Sequence, residues 1–206
     1  MKKSDILESV MKEFRALAAI PRPSGHEKAV SDYLLAHLRE MGLEVVQDER
    51  HNIIADLAAA PGRENAPRVI LQGHMDMVCV AAPGVAYDPL HDAIRLVEEG
   101  DVLHAKGTSL GADDGIGVAV ILHILRHVKE HGPVRAIFTV DEERGMTGAI
   151  HLEEKYLKDA QYLINCDSEN LDELCVGSAG GVDLTFSRTM KFVAAAKGKA
   201  WQIAVE

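Results

Sequence analysis

Three apolar, strand-like runs in this chain of 206 residues end in side chains that bind metals. Residues 69–72 lead into Gly73-His74-Met75-Asp76, residues 136–140 into Asp141-Glu142-Glu143, and residues 162–165 into Cys166-Asp167-Ser168-Glu169. Between the first two runs, Gly111-Ala112-Asp113-Asp114-Gly115 precedes a helix-like stretch. In open α/β sheets, ligands gather outside the carboxyl ends of the strands. One histidine and several carboxylates converging there suit zinc or a similar divalent metal. His74 and Asp76 stand two apart, so in an extended segment they point the same way, and Asp76 can accept the second ring N–H of a metal-bound imidazole. Adjacent glutamates face different ways, so Glu142 and Glu143 can divide metal binding and proton transfer. Each motif also has a plainer reading: Asp113-Asp114 as helix caps, Glu142-Glu143 as a solvated turn, His74 and Asp167 as ordinary strand-end and loop residues. Taken together, the plain readings require a coincidence at every one of these places.

The elements that must position these residues follow from periodicity. Ser4 is placed to cap a helix with Ile6, Val10, Phe14 and Leu17 at helical spacing, stopped by Pro21 and Pro23. Ser24-Gly25-His26-Glu27 reads as a capping box opening a second helix, which Gly42 ends. Residues 43–47, 52–57 and 69–72 are predicted strands, and residues 94–97 and 102–105 a hairpin around Glu98-Glu99-Gly100-Asp101. A helix over 115–131, a strand over 136–140, a helix over 147–157 and a strand over 162–165 follow. Strands alternating with helices predict an α/β fold: a mainly parallel, twisted sheet with helices on both faces. Residues 174–176 and 182–186 are also strand-like, and after Arg188 the chain turns basic and Ala-rich.

Composition narrows the function classes. A hydrophobic content of 47% can build a sizeable core, and a net charge of −10 disfavours nucleic acid and anionic membrane surfaces as partners. Cys79, Cys166 and Cys175 show no CxxC spacing and read as reduced thiols of a cytoplasmic protein, Cys166 as a small buried apolar residue rather than a ligand. The N-terminus lacks the apolar core of a signal peptide, and no run approaches the ~18 apolar residues of a membrane span. His123, His127 and His131 recur at helical spacing, but Ile124 stands where a zincin motif needs glutamate. Gly177-Ser178-Ala179-Gly180-Gly181 lacks the lysine of a phosphate loop and reads as a tight turn.

At these residues the chain resembles the aminoacyl-histidine (Xaa-His, PepD-type) dipeptidases of the dimetal exopeptidases, a group that includes carnosinases and aminoacylases. The resembling segments are Ile20-Pro21-Arg22-Pro23-Ser24, the run from Leu71 to Val78 around His74, the run from Lys106 to Gly117 around Asp113, Asp141 to Ala149, Ile164 to Glu169, and Gly177 to Gly181. The resemblance implies a zinc-exopeptidase-like sheet and two divalent ions, zinc first, with cobalt or manganese as alternatives. It makes His74 and Asp167 ligands of the first metal, Asp113 the bridge, and Glu143 a ligand of the second. Glu142 and Asp76 are its catalytic pair, Glu142 as general base and Asp76 orienting His74. The implied reaction is hydrolysis of small peptides by a metal-bridging water, and the implied compartment is the cytoplasm. Aminoacylase or tripeptidase chemistry is the nearest alternative, and a dead metal-binding remnant the alternative from another class.

Members of that family are much longer. They insert a lid after the segment matching Gly180-Gly181, then return to supply a histidine to the second metal. The resemblance therefore implies an N-terminal portion, a fragment or truncated gene product. Residues 1–186 would be part of the catalytic domain, and 187–206 the start of the lid or a truncated tail. The second metal site would be incomplete, and the family-type homodimer, built largely through the lid, is not carried over.

Overall fold

The computed structural model describes residues 2–168 and, beyond them, 172–177, 180, 182, 184–189 and 191. The chain divides into two compact units, Met1–Leu171 and Asp172–Glu206.

The first unit is a mixed α/β structure. Its elements run α1 (Lys3–Ala18), α2 (Lys28–Glu40), β1 (Glu44–Gln47), β2 (Ile53–Leu57), β3 (Val69–His74), β4 (Leu96–Glu99), β5 (Val102–Ala105), α3 (Ala112–His127), β6 (Val134–Thr139), α4 (Thr147–Ile150), a 3-10 turn (Glu154–Tyr156) and β7 (Tyr162–Asn165). The main sheet has the order β1-β2-β6-β3-β7. β6, β3 and β7 run parallel, while β2 and β1 add antiparallel at one edge. The register Leu71↔Ala136, Gly73↔Phe138 and Ala55↔Ala136 puts alternate residues of neighbouring strands on one face. That face packs Ile53, Ala55, Leu71, Ala136 and Phe138 into one core with Phe14 and Leu17 of α1, Leu34 and Leu38 of α2, and Ile121 and Leu122 of α3.

The opposite face carries Ile54, Ile70 and Ile137, all buried. Arg135, on that same face, donates to the Tyr156 carbonyl at 2.7 Å and to Asp159, so the 3-10 turn and its exit lie over it. Both faces are thus covered, as the alternation of strands and helices predicts. β4 and β5 form a separate hairpin with a two-residue Gly100-Asp101 turn, two residues later than the expected first strand because Glu99 still pairs with Val102.

Several local expectations are corrected. α1 starts at Lys3 without a Ser4 cap; the Ser4 hydroxyl goes to Asp5, whose carboxylate takes the Lys2 N–H. α3 ends at His127, not His131: Val128 is already extended ahead of Gly132-Pro133, and His131 lies off the helix. The expected helix over 147–157 is broken after Ile150: Glu153 is extended (φ −66°, ψ 130°), and the chain resumes only as the separate 3-10 turn at Glu154–Tyr156. In the second unit, residues 174–176 and the described residues among 182–186 form no strand, since no described strand pairs with them. Ser178, Ala179 and Gly181 of the expected glycine turn, and most of the expected tail over 187–206, lie outside the described residues.

Glu13 joins three helices. Buried on α1, its carboxylate meets His37 of α2 at 2.9 Å and Arg126 of α3 at 3.6 Å. Burial pushes its pKa up, but the His37 hydrogen bond and the charges of His37, Arg126 and Lys12 together outweigh burial and hold it below the usual glutamate range. A carboxylate with a depressed folded-state pKa contributes stability above its unfolded pKa and loses it as pH falls through the folded one. Glu13→Ala should therefore cost about 1–3 kcal/mol at pH 7. Urea unfolding between pH 7 and pH 4 should show the gap to the parent closing on the acid side.

Candidate metal centre

Parallel strands deliver the site. β3, β6 and β7 run the same way, so His74 at the end of β3, Asp141-Glu142-Glu143 after β6 and Asp167 after β7 emerge at one edge of the sheet. Two backbone bonds continue the ladders past the strand ends: Met75 N–H to Thr139 O and Cys166 N–H to Gln72 O, both at 2.8 Å.

His74 is the centre, with 1% of its surface exposed. Its Nε2 lies 3.0 Å from Asp113 Oδ1 and 3.8 Å from Asp167 Oδ2. Its Nδ1 lies 3.1 Å from the Asp76 carbonyl and 3.3 Å from the Asp76 carboxylate. Glu143 completes a group: His74, Asp113 and Glu143 each offer a donor atom, and these lie within 4.8 Å of one another. Asp113 is half-exposed, so the cluster opens outward on that side. The Glu142 carboxylate is not in this group, although its charge acts on both Glu143 and Asp167.

Asp76 does more than face the imidazole. Fully buried, it accepts the N–H of Glu142 on one oxygen at 3.0 Å and that of Glu143 on the other at 3.3 Å. Burial would raise its pKa, but hydrogen bonds from His74, Ser24 and the Glu142 N–H hold it at about 2. The expected capping box is corrected here. α2 begins at Lys28 with no side-chain cap; Ser24 bonds to Asp76, and Glu27 accepts the N–H groups of Gly25 at 2.7 Å and Asp141 at 2.9 Å. Both halves of the box are drawn to the strand-end loop by acceptor and donor groups that only the tertiary fold supplies.

Two further residues were not singled out by sequence. Asp114, beside Asp113, is buried, and its Oδ2 accepts the His74 N–H at 3.1 Å. Burial, with the charges of Asp167 and Asp113, pushes it up to about 7 against the pull of His74. Arg22 is buried between Pro21 and Pro23 and bonds to the carbonyls of Met75, Asp76 and Gly111. A lone cation between two prolines, and the glycine pair Gly111 and Gly115, were the available signals. Cys166 stays outside the ligand group and packs against the core; burial and Asp114 raise its thiol to about 11, which keeps it protonated.

The donor set fits a divalent cation. Burial and the neighbouring Asp113 push Asp167 up to about 6 and also raise Glu143. His74 is driven up to about 9, because Asp76, Asp167 and Asp114 overcome the cost of its burial. Carboxyls held up and an imidazole held protonated both mark excess negative charge that a cation would offset. One imidazole among carboxylates at the strand ends of an α/β sheet is a donor arrangement suited to divalent-metal hydrolysis.

Comparison with known proteins agrees. Residues 70–206 match the model of peptidase family M20/M25/M40, and the chain belongs to this family. It is 39% identical over 173 residues to the cytosol non-specific dipeptidase of Escherichia coli, covering 84% of this chain and 36% of that protein. It superposes on the aminoacylhistidine dipeptidase of Vibrio alginolyticus with a TM-score of 0.74 and 40% identity, over 78% of this chain and 33% of that one. A tripeptidase from Staphylococcus aureus gives a TM-score of 0.66 at 26% identity, over 79% of this chain and 44% of that one. The chain thus spans about a third of the length of the two more similar relatives.

Asp76 is the strongest of the groups raising the His74 pKa. In the metal-free chain, Asp76→Asn should lower the titration midpoint of His74 from about 9 by roughly 1–3 pH units. NMR titration of the His74 ring carbons checks this; an unchanged midpoint would mean that Asp76 does not set the imidazole's charge.

Proposed function

We propose that this chain carries the metal centre and general base of a metal-dependent dipeptidase acting on Xaa-His-type substrates in the cytoplasm. The observation that carries the reading is the buried His74, with Asp76 on one ring nitrogen and Asp113 on the other. His74, Asp113, Glu143 and Asp167 would hold divalent metal, zinc first. When bound, such ions polarise a peptide carbonyl and acidify a water molecule. Asp76 fixes the ring orientation of His74 and, through the Glu142 and Glu143 N–H groups, the position of the loop after β6. Glu142, partly exposed beside the ligand group, takes the proton from the attacking water and passes it to the leaving amine. The dipeptide preference and the compartment are supported by the likeness to the Escherichia coli cytosol non-specific dipeptidase and the Vibrio alginolyticus aminoacylhistidine dipeptidase. No helix among the described residues is long and apolar enough to cross a membrane.

A tripeptidase reading draws on the Staphylococcus aureus structure at 26% identity. Rates of a full-length relative on β-alanyl-histidine, other dipeptides and tripeptides separate the two.

Roles are tested by these substitutions at the matching positions of an intact enzyme of the family. Glu142→Gln should reduce turnover by about 10²–10⁴-fold with metal content unchanged. Asp113→Ala should lose metal. The opposite pattern would reverse the assignments.

The 206 residues alone should bind one divalent ion tightly, since one group of donors converges among the described residues. Binding at pH 7 should release protons, because His74 must give up its own, and affinity should rise with pH up to about 9. Calorimetry in buffers of different ionisation enthalpy measures both. Two tight ions, or no proton release, would contradict this.

A further inference from the structure

We infer that Arg22 is a positioning residue of the metal centre: its guanidinium ties the segment bearing His74 and Asp76 to the segment bearing Asp113 and Asp114. This rests on the metal-site reading above. Arg22 is 2% exposed and its Nη1 donates to the carbonyls of Met75 at 2.8 Å and Asp76 at 2.9 Å, just past β3. Its Nη2 donates to the carbonyl of Gly111, just before α3. Among the described residues the main sheet does not join these two segments, since β3 pairs with β6 and β7; the nearest backbone link is the bridge of Ala81 with Thr108, further along both stretches. The guanidinium supplies a bridge that the sheet does not.

The glycines of the second segment are shaped to the guanidinium. A Cβ on Gly111 would lie 2.6 Å from Arg22 Nη2, and so would a Cβ on Gly115. Asp113 and Asp114 lie between these glycines. The sequence Gly111-Ala112-Asp113-Asp114-Gly115 is therefore a slot for a planar cation with the two carboxylates mounted over it. Only a rigid fork can reach acceptors on both segments at once; a lysine ammonium keeps the charge but not the fork.

The charge and the geometry make opposite predictions. A buried cation near Asp76, Asp113 and Asp114 repels an incoming metal ion, so if charge alone mattered, removing it would tighten metal binding. If Arg22 acts by placement, removing it loosens binding, and lysine does not restore it. Outer partners of metal ligands typically contribute 10–100-fold to affinity.

The test is cobalt(II) binding to the 206-residue chain, read by calorimetry and by the visible absorption spectrum, with thermal unfolding monitored alongside. Arg22→Met and Arg22→Lys should each weaken binding by about 10–100-fold. At saturating cobalt both should change the ligand-field bands, which a loss of stability alone would not do in folded protein. Gly115→Ala keeps the arginine but crowds its Nη2, and should shift the same bands even if the Arg22 variants fold poorly. His74→Ala is the control for the site itself and should abolish binding. Unchanged affinity and spectra in the Arg22 and Gly115 variants, with binding lost in His74→Ala, would overturn the inference alone. Tighter binding in Arg22→Met would overturn it in favour of a charge effect. Full binding by His74→Ala would overturn the site reading beneath it.

Discussion

The Asp76 carboxylate is the interaction on which the site depends. It is fully buried, yet stays ionised because every direction around it holds a donor: the His74 ring, the Ser24 hydroxyl, and the N–H groups of Glu142 and Glu143. An ionised carboxylate without such partners is costly in a protein interior. The same bonds link three segments distant in sequence: the turn before α2, the end of β3 and the loop after β6. Glu27 repeats the device one layer out, joining Gly25 to Asp141. Loops that carry chemistry usually have few bonds of their own; here they are fastened by buried carboxylates, and the orientation of the exposed side chains follows from the backbone beneath them.

The sheet explains why so short a set of elements suffices. β6 is buried along its whole length and lies between β2 and β3, while α2 packs on β1 and β2, α3 on β3, and α1 on α3. Because β3 and β7 run parallel to β6 or to each other through β3, their carboxyl ends share one edge without any long loop reaching back. The antiparallel pair β1 and β2 extends the core face but contributes no ligand.

What the sequence made legible is what short-range pattern encodes. An apolar run stopping at His74, Glu142 or Asp167 marks a strand and the end where polar donors follow, and the parallel pairing brings these ends to one edge of the sheet. Adjacent aspartates defeat the same logic: Asp113 and Asp114 look alike in sequence, yet one is half-exposed beside the His74 ring and the other is buried beneath the His74 backbone. Ser24-Gly25-His26-Glu27 has the spacing of a helix cap, and a local rule has no means of knowing that Asp76 and Asp141 offer better partners. Arg22 stood out only as a cation between two prolines, and its role was not legible because all its acceptors are backbone carbonyls far along the chain. The helix over 147–157 stops at Ile150, because the extended Glu153 divides it from the 3-10 turn that follows.

The ion pairs at the other end of the sheet give the molecule an electrical direction. There, Asp56 and Asp159 are matched by Arg68 and Arg135 in close pairs. At the carboxyl ends of the strands, Asp113, Asp114, Glu142, Glu143 and Asp167 stand against the buried Arg22 and the single imidazole of His74. The first cluster is matched charge for charge, whereas at the second the carboxylates outnumber the nearby cations, an imbalance that attracts small cations locally. If that end holds the proposed metal, the ion would have a preferred approach, and its uptake would be faster at low ionic strength.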